Sequence, residues 1–397
     1  MNEQNVIVLR PGKEESLKRF HPWVFSGAIA RKPDQLEEGD VVRVVDSHGN
    51  FLGTGHYQIG SIAVRILSFH DESIGLSFYA TNIERAYHLR QQLHLLRPEN
   101  NTFRLVHGEG DHLPGLIVDM YGDTAVIQAH SVGMHRDLNF IVEALKQVLP
   151  EDLPEHIFYK SEGTLPYKAG LNALDTYLVG GGHVQDVVLE NGLKFHIDWL
   201  KGQKTGFFID QRENRRLLEQ YAGGRHVLNM FCYTGGFSVY ALRGGAATVT
   251  SVDSSSKAVS LVDVNVDLNF GEEPRHHAVT EDAFKFLKQM PQGKYDLIVL
   301  DPPAFAKHRG AINNALQGYK KLNLSALEKI APGGLLFTFS CSQAITREQF
   351  RLAVFSAAAI SGRRVRILHQ LTQPADHPVN IYHPEGEYLK GLVLQVE

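Results

Sequence analysis

The second half of the chain alternates short apolar runs with amphipathic stretches, and no other feature restricts the fold as strongly. The apolar runs have the length and composition of buried strands and lie at residues 227–231, 248–253, 276–279, 295–301 and 334–340. The stretches with helical periodicity lie at residues 211–221, 237–243, 257–269, 283–289 and 318–329. This alternation predicts an α/β fold with a parallel, doubly wound sheet, whose ligands bind at the carboxyl ends of the strands. Two strand-like runs between residues 365 and 396 predict an antiparallel pair at the sheet edge.

The first half of the chain has two other patterns. Short strands separated by Gly-containing turns occupy residues 1–72 and predict a small β-barrel. Residues 73–186 begin with a helical stretch and continue with three strands and a helix at about 135–149, which indicates a central α+β domain. The third part, residues 187–397, opens with a hairpin that turns at 190–192 and continues into the doubly wound region. A length of 397 residues agrees with two or three domains.

The composition is that of globular proteins and gives no support to several other classes. Hydrophobic residues make up 43% of the chain and charged residues 21%. No apolar run approaches the roughly 18 residues that span a bilayer. Residues 1–5 lack the basic and apolar regions of a signal peptide. We therefore expect a cytoplasmic protein with no membrane partner.

The two cysteines of the chain, Cys232 and Cys341, restrict its covalent and metal chemistry. They are too few for a disulfide framework and too far apart in sequence for a zinc site, so no metal is expected. A scarce cysteine in a reducing compartment is usually a small buried hydrophobe. A catalytic role for either thiol therefore requires evidence from the position of that cysteine in the fold.

The charge is distributed unevenly. The net charge is −4, which by itself does not indicate a nucleic-acid binder. Residues 1–32, however, hold six basic against three acidic side chains. Such a local basic surface contacts phosphates even in an acidic chain, and Arg10, Lys18 and Arg19 are the candidate phosphate-binding residues.

Glycines and acids after the first strands of the doubly wound region predict a cofactor site. The first strand runs into a turn with Gly235 and Gly236, where backbone approaches a ligand closely and the next helix offers free N–H groups. The turn does not follow the Gly-x-Gly-x-x-Gly pattern, which disfavours an NAD-dependent dehydrogenase. Asp253 ends the second strand and is placed to bind ribose hydroxyls, and Asp282 follows the third strand, within reach of an adenine amino group. An adenosine-containing cofactor without a pyrophosphate, S-adenosylmethionine, fits this pattern.

The fourth and fifth strands end in the expected catalytic residues. Asp301 is followed by Pro302 and Pro303, which fix the backbone rigidly at the carboxyl edge of the sheet. Cys341 follows the fifth strand, and by strand order it should neighbour Asp301 at that edge. A thiol in a ligand-binding cleft is nucleophilic when nearby charge favours its thiolate form. Position therefore favours a catalytic Cys341, whereas Cys232, on the cofactor turn, is interpreted as structural.

Four motifs give the chain a family resemblance. They are Asp-Gln-Arg-Glu-Asn-Arg at 210–215, Asn-Met-Phe-Cys-Tyr-Thr-Gly-Gly-Phe at 229–237, Asp-Pro-Pro-Ala-Phe at 301–305 and Phe-Ser-Cys-Ser at 339–342. With His-Pro-Trp-Val-Phe-Ser-Gly at 21–27, Asp-His-Pro at 376–378 and Pro-Glu-Gly at 384–386, they resemble the bacterial ribosomal RNA large subunit methyltransferase I family over the whole chain. Cys232 stands where relatives often carry serine, and the middle domain matches less well, which leaves the choice of RNA target open.

The resemblance implies a fold, a reaction and a set of site residues. The implied order is a PUA domain, a mixed α+β domain, a β-hairpin and a Rossmann-like class I methyltransferase domain. The implied reaction is cytosine-C5 methylation of 23S rRNA, with Cys341 as the attacking thiol and Asp301 assisting. The resemblance extends the expected cofactor contacts of the glycine turn and the two acids to further residues. These are Gln211, Arg212, Asn229, Phe231, Tyr233, Asp301 and Pro302.

Other functions compete with this interpretation. A methyltransferase acting on a guanine or adenine nitrogen also places prolines after an Asp or Asn, but it needs no thiol. The presence of Cys341 therefore disfavours a nitrogen methyltransferase. Ala304 also disfavours it, because adenine-N6 enzymes usually place a stacking aromatic residue at that position. A non-catalytic RNA-binding assembly factor is disfavoured because the glycine turn, both acids, Asp301 and Cys341 occur together. The expected partners are RNA and, in a homodimer, a second copy of the chain.

Overall fold

The computed structural model divides the chain into two compact units. It describes residues 5–151, 153–166, 171, 174–181, 186–306 and 309–397. Unit 1 comprises Met1–Val188, Ile197–Ile209 and Ala375–Gly386, and unit 2 comprises Leu189–His196, Asp210–Pro374 and Glu387–Glu397. Residues 1–4, part of the segment tested for a signal peptide, lie outside the described residues. The division into three domains at residues 72 and 186 stays a prediction.

Unit 1 begins with a small barrel-like sheet. Its elements are β1 Val6–Leu9, α1 Glu15–Lys18, β2 Trp23–Phe25, β3 Ile29–Arg31, β4 Val41–Val45, β5 Phe51–Tyr57 and β6 Ile62–Ser68. The six strands follow the order β2-β6-β5-β4-β1-β3, with β1 parallel to β4 and the other pairs antiparallel. Alternate residues such as Ile7, Leu9, Val42 and Val44 are fully buried. This two-residue period is that of a strand with one face packed on a core.

A second sheet with helices completes unit 1. Its elements are α2 Leu76–Gln92, β7 Thr102–His107, β8 Leu116–Tyr121, β9 Thr124–Ala129, α3 Val132–Arg136, α4 Leu138–Val148, β10 His156–Tyr159 and β11 Thr176–Val179. The strands follow the order β11-β10-β9-β8-β7, and apolar side chains of α2 and α4 share the core of this sheet. The helix predicted at about 135–149 is confirmed as α4, although it begins at Leu138, because the chain leaves helical geometry at Asp137 and α3 is a separate short helix. The Asp137 carboxylate accepts a hydrogen bond from Tyr79 Oη at 2.6 Å and lies 3.0 Å from His56 Nε2.

From Val187 onward the predicted hairpin and alternation are present. The elements are β12 Val187–Glu190, β13 Leu193–His196, α5 Arg212–Tyr221, β14 His226–Met230, α6 Gly236–Arg243, β15 Thr248–Asp253, α7 Ser256–Phe270, β16 His276–Thr280, α8 Ala283–Gln289, β17 Leu297–Leu300, α9 Ile312–Lys329, β18 Gly334–Ser340, α10 Arg347–Ser361, β19 Val365–Leu371 and β20 Lys390–Val396. The hairpin turns through Asn191 and Gly192, both with positive φ, as a two-residue turn between twisted strands requires.

The seven-stranded sheet of unit 2 confirms the predicted doubly wound topology. Its order is β16-β15-β14-β17-β18-β20-β19. The pairs from β16 to β18 are parallel, and β20 is inserted antiparallel between β18 and β19. In the sheet, β15 lies on one side of β14 and β17 on the other, so the strand order reverses at β14. In doubly wound sheets, ligands bind in the crevice outside the carboxyl ends of the strands at such a reversal. The predicted antiparallel pair at the edge is therefore also confirmed.

One helix of unit 2 was not predicted. α10 begins with a capping box, in which Thr346 Oγ1 accepts a hydrogen bond from the Gln349 backbone N–H and the Gln349 side chain accepts one from the Thr346 N–H. Its inner face is formed by Phe350, Ala353, Val354 and Ala357. The Thr-x-x-Gln spacing before an apolar run was the available signal. Within the described part of the chain, no helix combines the length and apolar character needed to cross a membrane.

Candidate active site

The loop after β14 is built from residues in unusual backbone conformations. Phe231 and Tyr233 have φ of 57° and 47°, and Gly235 has φ of 82° at the start of α6. A side chain at position 235 would meet the Val262 Cγ1 atom at 2.6 Å, so both conformation and space require glycine there. Non-glycine residues at positive φ are uncommon and strained. Their concentration at the edge of the sheet reversal marks this loop as a candidate ligand cradle.

Asp253, at the end of β15, fixes the same loop from the neighbouring strand. Its Oδ2 atom accepts a hydrogen bond from the Tyr233 backbone N–H at 3.0 Å, and Oδ1 accepts one from the Ser255 N–H at 2.9 Å. The side chain is half-buried rather than sealed. Each carboxylate oxygen keeps further acceptor capacity, which is what a pair of ribose hydroxyls requires. The predicted neighbourhood of the glycine turn and Asp253 is therefore present.

These features fit S-adenosylmethionine. The N–H groups of the first turn of α6 favour electron-rich ligand atoms. Asp253 would hold the ribose, and the backbone of Phe231 to Gly235 would border the methionine part.

Two predicted cofactor residues occupy supporting positions. Asn229 is buried on β14, and its Nδ2 donates to Ser238 Oγ at 2.9 Å. Ser238 Oγ in turn lies 2.6 Å from Ser251 Oγ, so Asn229 ties α6 to the strands behind the loop. Asp282 is exposed and caps α8, where its carboxylate accepts a hydrogen bond from the Lys285 N–H at 2.9 Å. A contact of Asp282 with adenine stays a prediction.

The other side of the crevice is held by a chain of buried polar side chains. Gln211 Nε2 donates to Asp301 Oδ2 at 3.0 Å, and Gln211 Oε1 accepts from Asn214 Nδ2 at 2.6 Å. Gln211 and Asn214 are almost completely buried. The amide of Gln211 is therefore oriented, with its donor fixed on Asp301. Arg212, the next predicted residue, is also buried, and its Nε lies 3.1 Å from Glu213 Oε1.

The carboxyl group of Asp301 has an unusual pKa. Burial of its carboxyl group raises the pKa of Asp301 to about 7, and the negative charge of Asp210 contributes in the same direction. The hydrogen bond from Gln211 and the charge of Arg215 oppose this shift. Asp210 was not assigned a role from the sequence, and in the structure Tyr388 Oη donates to its Oδ2 at 2.7 Å. A carboxyl group with a pKa near 7 is suited to giving and taking a proton at neutral pH.

A buried ion pair supports both sides of the crevice, and the sequence interpretation assigned it no role. Arg215 Nε and Nη2 donate to the two Glu190 oxygens at 2.9 and 2.6 Å, and both residues are almost fully buried. Tyr240 Oη donates to the same carboxylate at 3.0 Å. A side chain at Gly236 would approach Arg215 Cδ to 3.0 Å, so the arginine also backs the glycine turn.

Cys341 lies directly after β18, beside the Asp-Pro-Pro segment. Its Sγ is 3.9 Å from the Pro302 carbonyl oxygen. The residue is only partly buried, whereas Cys232 is buried, and burial raises the pKa of the Cys232 thiol far above its ordinary value. Behind Cys341, Ser340 Oγ donates to the buried Tyr319 Oη at 2.9 Å. The predicted neighbourhood of Cys341 and the Asp301 segment is thus present, and the accessible thiol of the two is Cys341.

Lys390 is a functional candidate that the sequence interpretation missed. It begins β20 opposite Ser340, is only 3% exposed, and its Nζ donates to the carbonyl oxygens of Ser342 and Ile345 at 2.6 and 2.7 Å. Burial lowers the pKa of Lys390 to about 8, an effect that the neighbouring Cys341 opposes. A lysine is rarely buried this deeply. This ammonium group fixes the segment that carries Cys341 and places positive charge near its sulfur.

The expected RNA-binding residues are all part of unit 1. Arg10 Nε donates to the Ile29 carbonyl oxygen at 3.1 Å, which leaves the rest of its guanidinium exposed. Lys18 Nζ lies 3.5 Å from both Glu14 and Glu15, so part of its charge is already balanced. Arg19 is exposed and has no ion pair within the described part of the chain.

Comparisons with known proteins identify two domains of the chain. A family model of S-adenosylmethionine-dependent methyltransferases matches residues 171–383, and a PUA-like domain model matches residues 7–69. A chain from Streptococcus mutans, described as a candidate methyltransferase of this kind, superposes with a TM-score of 0.84 at 24% identity, covering 99% of this chain and 100% of that one. Fold and site together define an S-adenosylmethionine-dependent methyltransferase with an N-terminal PUA-like domain.

The curated relatives specify the family. The ribosomal RNA large subunit methyltransferase I of Alteromonas mediterranea is 39% identical over 395 residues, which is 98% of each chain. The protein of the same name from Tolumonas auensis is 40% identical and covers the same share of both chains. The chain therefore belongs to the ribosomal RNA large subunit methyltransferase I family.

Proposed function

We propose that this protein methylates C5 of a cytosine in 23S ribosomal RNA, with Cys341 forming a transient covalent bond to C6 of the base. The names of the relatives and the match to a PUA-like domain support a ribosomal RNA substrate. One observation carries the choice of atom, namely that an accessible thiol lies 3.9 Å from the Pro302 carbonyl oxygen, in the segment that follows Asp301. Methyl transfer to a nitrogen needs no such thiol.

The thiol is needed because C5 of cytosine is a poor nucleophile. Attack of the Cys341 thiolate on C6 saturates the 5,6 double bond and makes C5 enamine-like. S-adenosylmethionine, when bound, supplies an electrophilic methyl group. After C5 has been alkylated and has lost its proton, the C6–S bond breaks, the double bond returns and the free thiol is restored.

Asp301 serves the same step from the other side of the base. Attack at C6 places negative charge on N3, and a protonated carboxyl group donates a hydrogen bond or a proton to it. With a pKa of about 7, Asp301 is protonated in a large fraction of molecules at neutral pH. Gln211, whose amide donates to Oδ2, holds the carboxyl in place.

The remaining residues bind the two substrates. Asp253, Gly235, Gly236, Phe231 and Tyr233 would hold the cofactor. Gln211, Arg212, Asn229, Asp282, Asp301 and Pro302 complete the proposed cofactor-binding set. Arg10, Lys18 and Arg19 would contact RNA phosphates. The target nucleotide must be unpaired or flipped, because C6 is not reachable inside a helix.

A mechanism-based trap tests the proposal. In RNA that contains 5-fluorocytidine, fluorine replaces the C5 proton, so the thiol adduct is not released after methyl transfer. We expect a protein–RNA adduct that resists denaturation with the wild-type chain and S-adenosylmethionine, and none with Cys341→Ala. Mass spectrometry of nucleosides from 23S rRNA methylated in vitro should show 5-methylcytidine. A methylated guanine or adenine nitrogen, with no adduct, would replace this proposal by its main rival.

The rival is supported by the Asp-Pro-Pro-Ala-Phe segment, a form that nitrogen methyltransferases share. Ala304 favours the cytosine reaction because it offers no ring to stack on a target adenine. A scaffold that only binds RNA would bind no S-adenosylmethionine in a calorimetric titration. The homodimer also stays a prediction, which sedimentation of the purified chain tests.

A further inference from the structure

A set of aromatic rings in two groups, linked along the chain at Phe20–His21 and at Tyr382–His383, lies in unit 1, outside the site described above. We call it the aromatic strip. Neighbouring ring centroids along it are 4.3 to 6.3 Å apart. One group comprises Phe69, Phe20 and Tyr382, and the other comprises His383, His21, Trp23 and Phe25. Two of the motifs that carry the family resemblance, at residues 21–27 and 384–386, border this strip and have no role in the methyl-transfer site.

Three rings of the strip are far more exposed than their chemistry favours. Phe20, Phe25 and Tyr382 have between 46% and 49% of their surface exposed. Ile381, next to Tyr382, is 85% exposed. Single exposed apolar side chains are ordinary, but a group of adjacent ones indicates an interaction surface.

The backbone at Phe20 gives independent support. Phe20 follows α1 with φ of 63°, the left-handed conformation in which a chain usually ends a short helix with glycine. Phenylalanine is strained there. Neither burial nor backbone geometry explains a large aromatic ring at position 20. The exposed face of Phe20 therefore needs another explanation.

Positive charge is interleaved with these rings. Exposed Arg19 directly precedes Phe20. Lys13 and Phe25 line one groove of about 320 Å³ on this surface. Two acids also lie at the strip, Glu385 at 3.4 Å from His21 Nε2 and Glu109, whose Oε1 accepts a hydrogen bond from Trp23 Nε1 at 2.9 Å, and both contact ring nitrogens rather than the three exposed rings. The apolar centre of a protein–protein interface is depleted of charge, whereas surfaces for single-stranded nucleic acid combine stacking rings with cations.

We propose that the aromatic strip binds unpaired nucleotides of the RNA substrate, with bases stacked on Phe20, Phe25 and Tyr382 and phosphates held by Arg19 and Lys13. The inference rests on the proposed function only for the identity of the RNA. It changes the expected contacts, because Lys18 is engaged by Glu14 and Glu15 whereas Lys13 shares a groove with an exposed ring. Stacking tolerates any base, so the strip contributes affinity rather than sequence choice.

The binding test uses the full chain and a fluorescein-labelled, unstructured 12-nucleotide RNA, followed by fluorescence anisotropy. Alanine at Phe20, Phe25 or Tyr382 should each weaken binding by about 10-fold, the usual effect of removing one stacking ring. Phe140→Ala is the matched control, because Phe140 is also a large ring, 44% exposed, in unit 1. It should leave the affinity within about two-fold of wild type.

A second variant separates binding from folding. Phe20→Gly relieves the backbone strain, so its melting temperature should equal or exceed that of wild type while RNA affinity falls as for alanine. In RNA with one 2-aminopurine, base stacking should quench fluorescence with wild type and less so with Phe20→Gly. Unchanged affinity and quenching in all three strip variants would overturn the inference.

The outcomes separate this inference from the proposed function. If wild-type protein methylates 23S rRNA but the strip variants bind and methylate it normally, the strip is not an RNA surface and the proposed function stands. If wild-type protein transfers no methyl group to RNA, the proposed function fails, whereas the anisotropy data still decide the strip. A change of sedimentation coefficient in the strip variants, with RNA affinity unchanged, would assign the surface to a second copy of the chain.

Discussion

Replacing Asp301 by asparagine should separate the chemistry of this carboxyl from its effect on stability. Asparagine has the same shape and keeps an acceptor for Gln211 Nε2, which donates to Asp301 at 3.0 Å. It removes a group whose pKa burial and the charge of Asp210 raise to about 7. The variant should therefore be more stable than wild type at alkaline pH and much less active.

The size of the stability effect follows from the pKa. A rise from 3.8 to about 7 corresponds to at most about 4 kcal/mol at about 1.4 kcal/mol per pH unit. Below pH 3.8 the carboxyl is protonated in both states and costs nothing. Between that pH and about 7 the unfolded chain ionises first, so wild-type stability falls as pH rises, and above about 7 the deficit is constant. Because Asp301 is partly accessible, we expect about 2–3 kcal/mol, or a melting-temperature increase on the order of 5–10 °C at pH 8.

The activity effect has the opposite sign. Loss of a general acid typically lowers the rate by about 10²- to 10⁴-fold. Above the pKa of Asp301, the ratio of wild-type to Asp301→Asn activity should decline about tenfold per pH unit, because ionisation of the Cys341 thiol affects both chains alike and only wild type loses its acid. Transfer of tritiated methyl groups to 23S rRNA between pH 6 and 9, with thermal melting at pH 5, 6.5 and 8, measures both effects.

Asp263→Asn is the control, because Asp263 is an exposed carboxylate of unit 2 with 63% side-chain exposure, and it should change neither activity nor stability. A variant less stable than wild type at pH 8 would refute the burial argument, and a wild-type to Asp301→Asn activity ratio that stays constant above pH 7 would refute the acid role.

Three further variants test the rest of the site. Cys341→Ala should abolish methyl transfer while calorimetry finds the S-adenosylmethionine affinity within about two-fold of wild type; retained activity would exclude the covalent mechanism. Asp253→Ala should weaken cofactor binding by about 10-fold or more, because a charged acceptor is lost, and an unchanged dissociation constant would remove the ribose assignment. Lys390→Met should slow iodoacetamide alkylation of Cys341 by about 10-fold at pH 7, because a cation that favours the thiolate is lost, while Lys390→Arg restores part of the rate. Equal alkylation rates in wild type and Lys390→Met would limit the lysine to a structural role.

The fold of unit 2 was predictable because the sequence patterns that define its strands are local. The central parallel strands β14, β17 and β18 are short, largely apolar runs, and burial on both faces leaves little choice of period. Parallel connection then places the ends of all these strands at one edge, which is why Asp253, Asp301 and Cys341 could be assigned to one site from their positions alone. The helix α10 was missed although Thr346 and Gln349 carry a capping box, because its exposed face includes Leu352 and Phe355 and blurs the amphipathic pattern.

Only the tertiary structure decided the electrostatics of the site. Burial and residues distant in sequence set the charge states, since burial and the charge of Asp210 raise the pKa of Asp301, and Lys390 reaches the Cys341 segment from a strand some fifty positions later. The insertion of β20 between β18 and β19 makes that last contact, and no period in the sequence encodes it. The alternation of apolar runs thus determined which side chains share an edge. Burial and long-range approach decided which of them hold a proton, because these depend on the distances between charges in the folded chain.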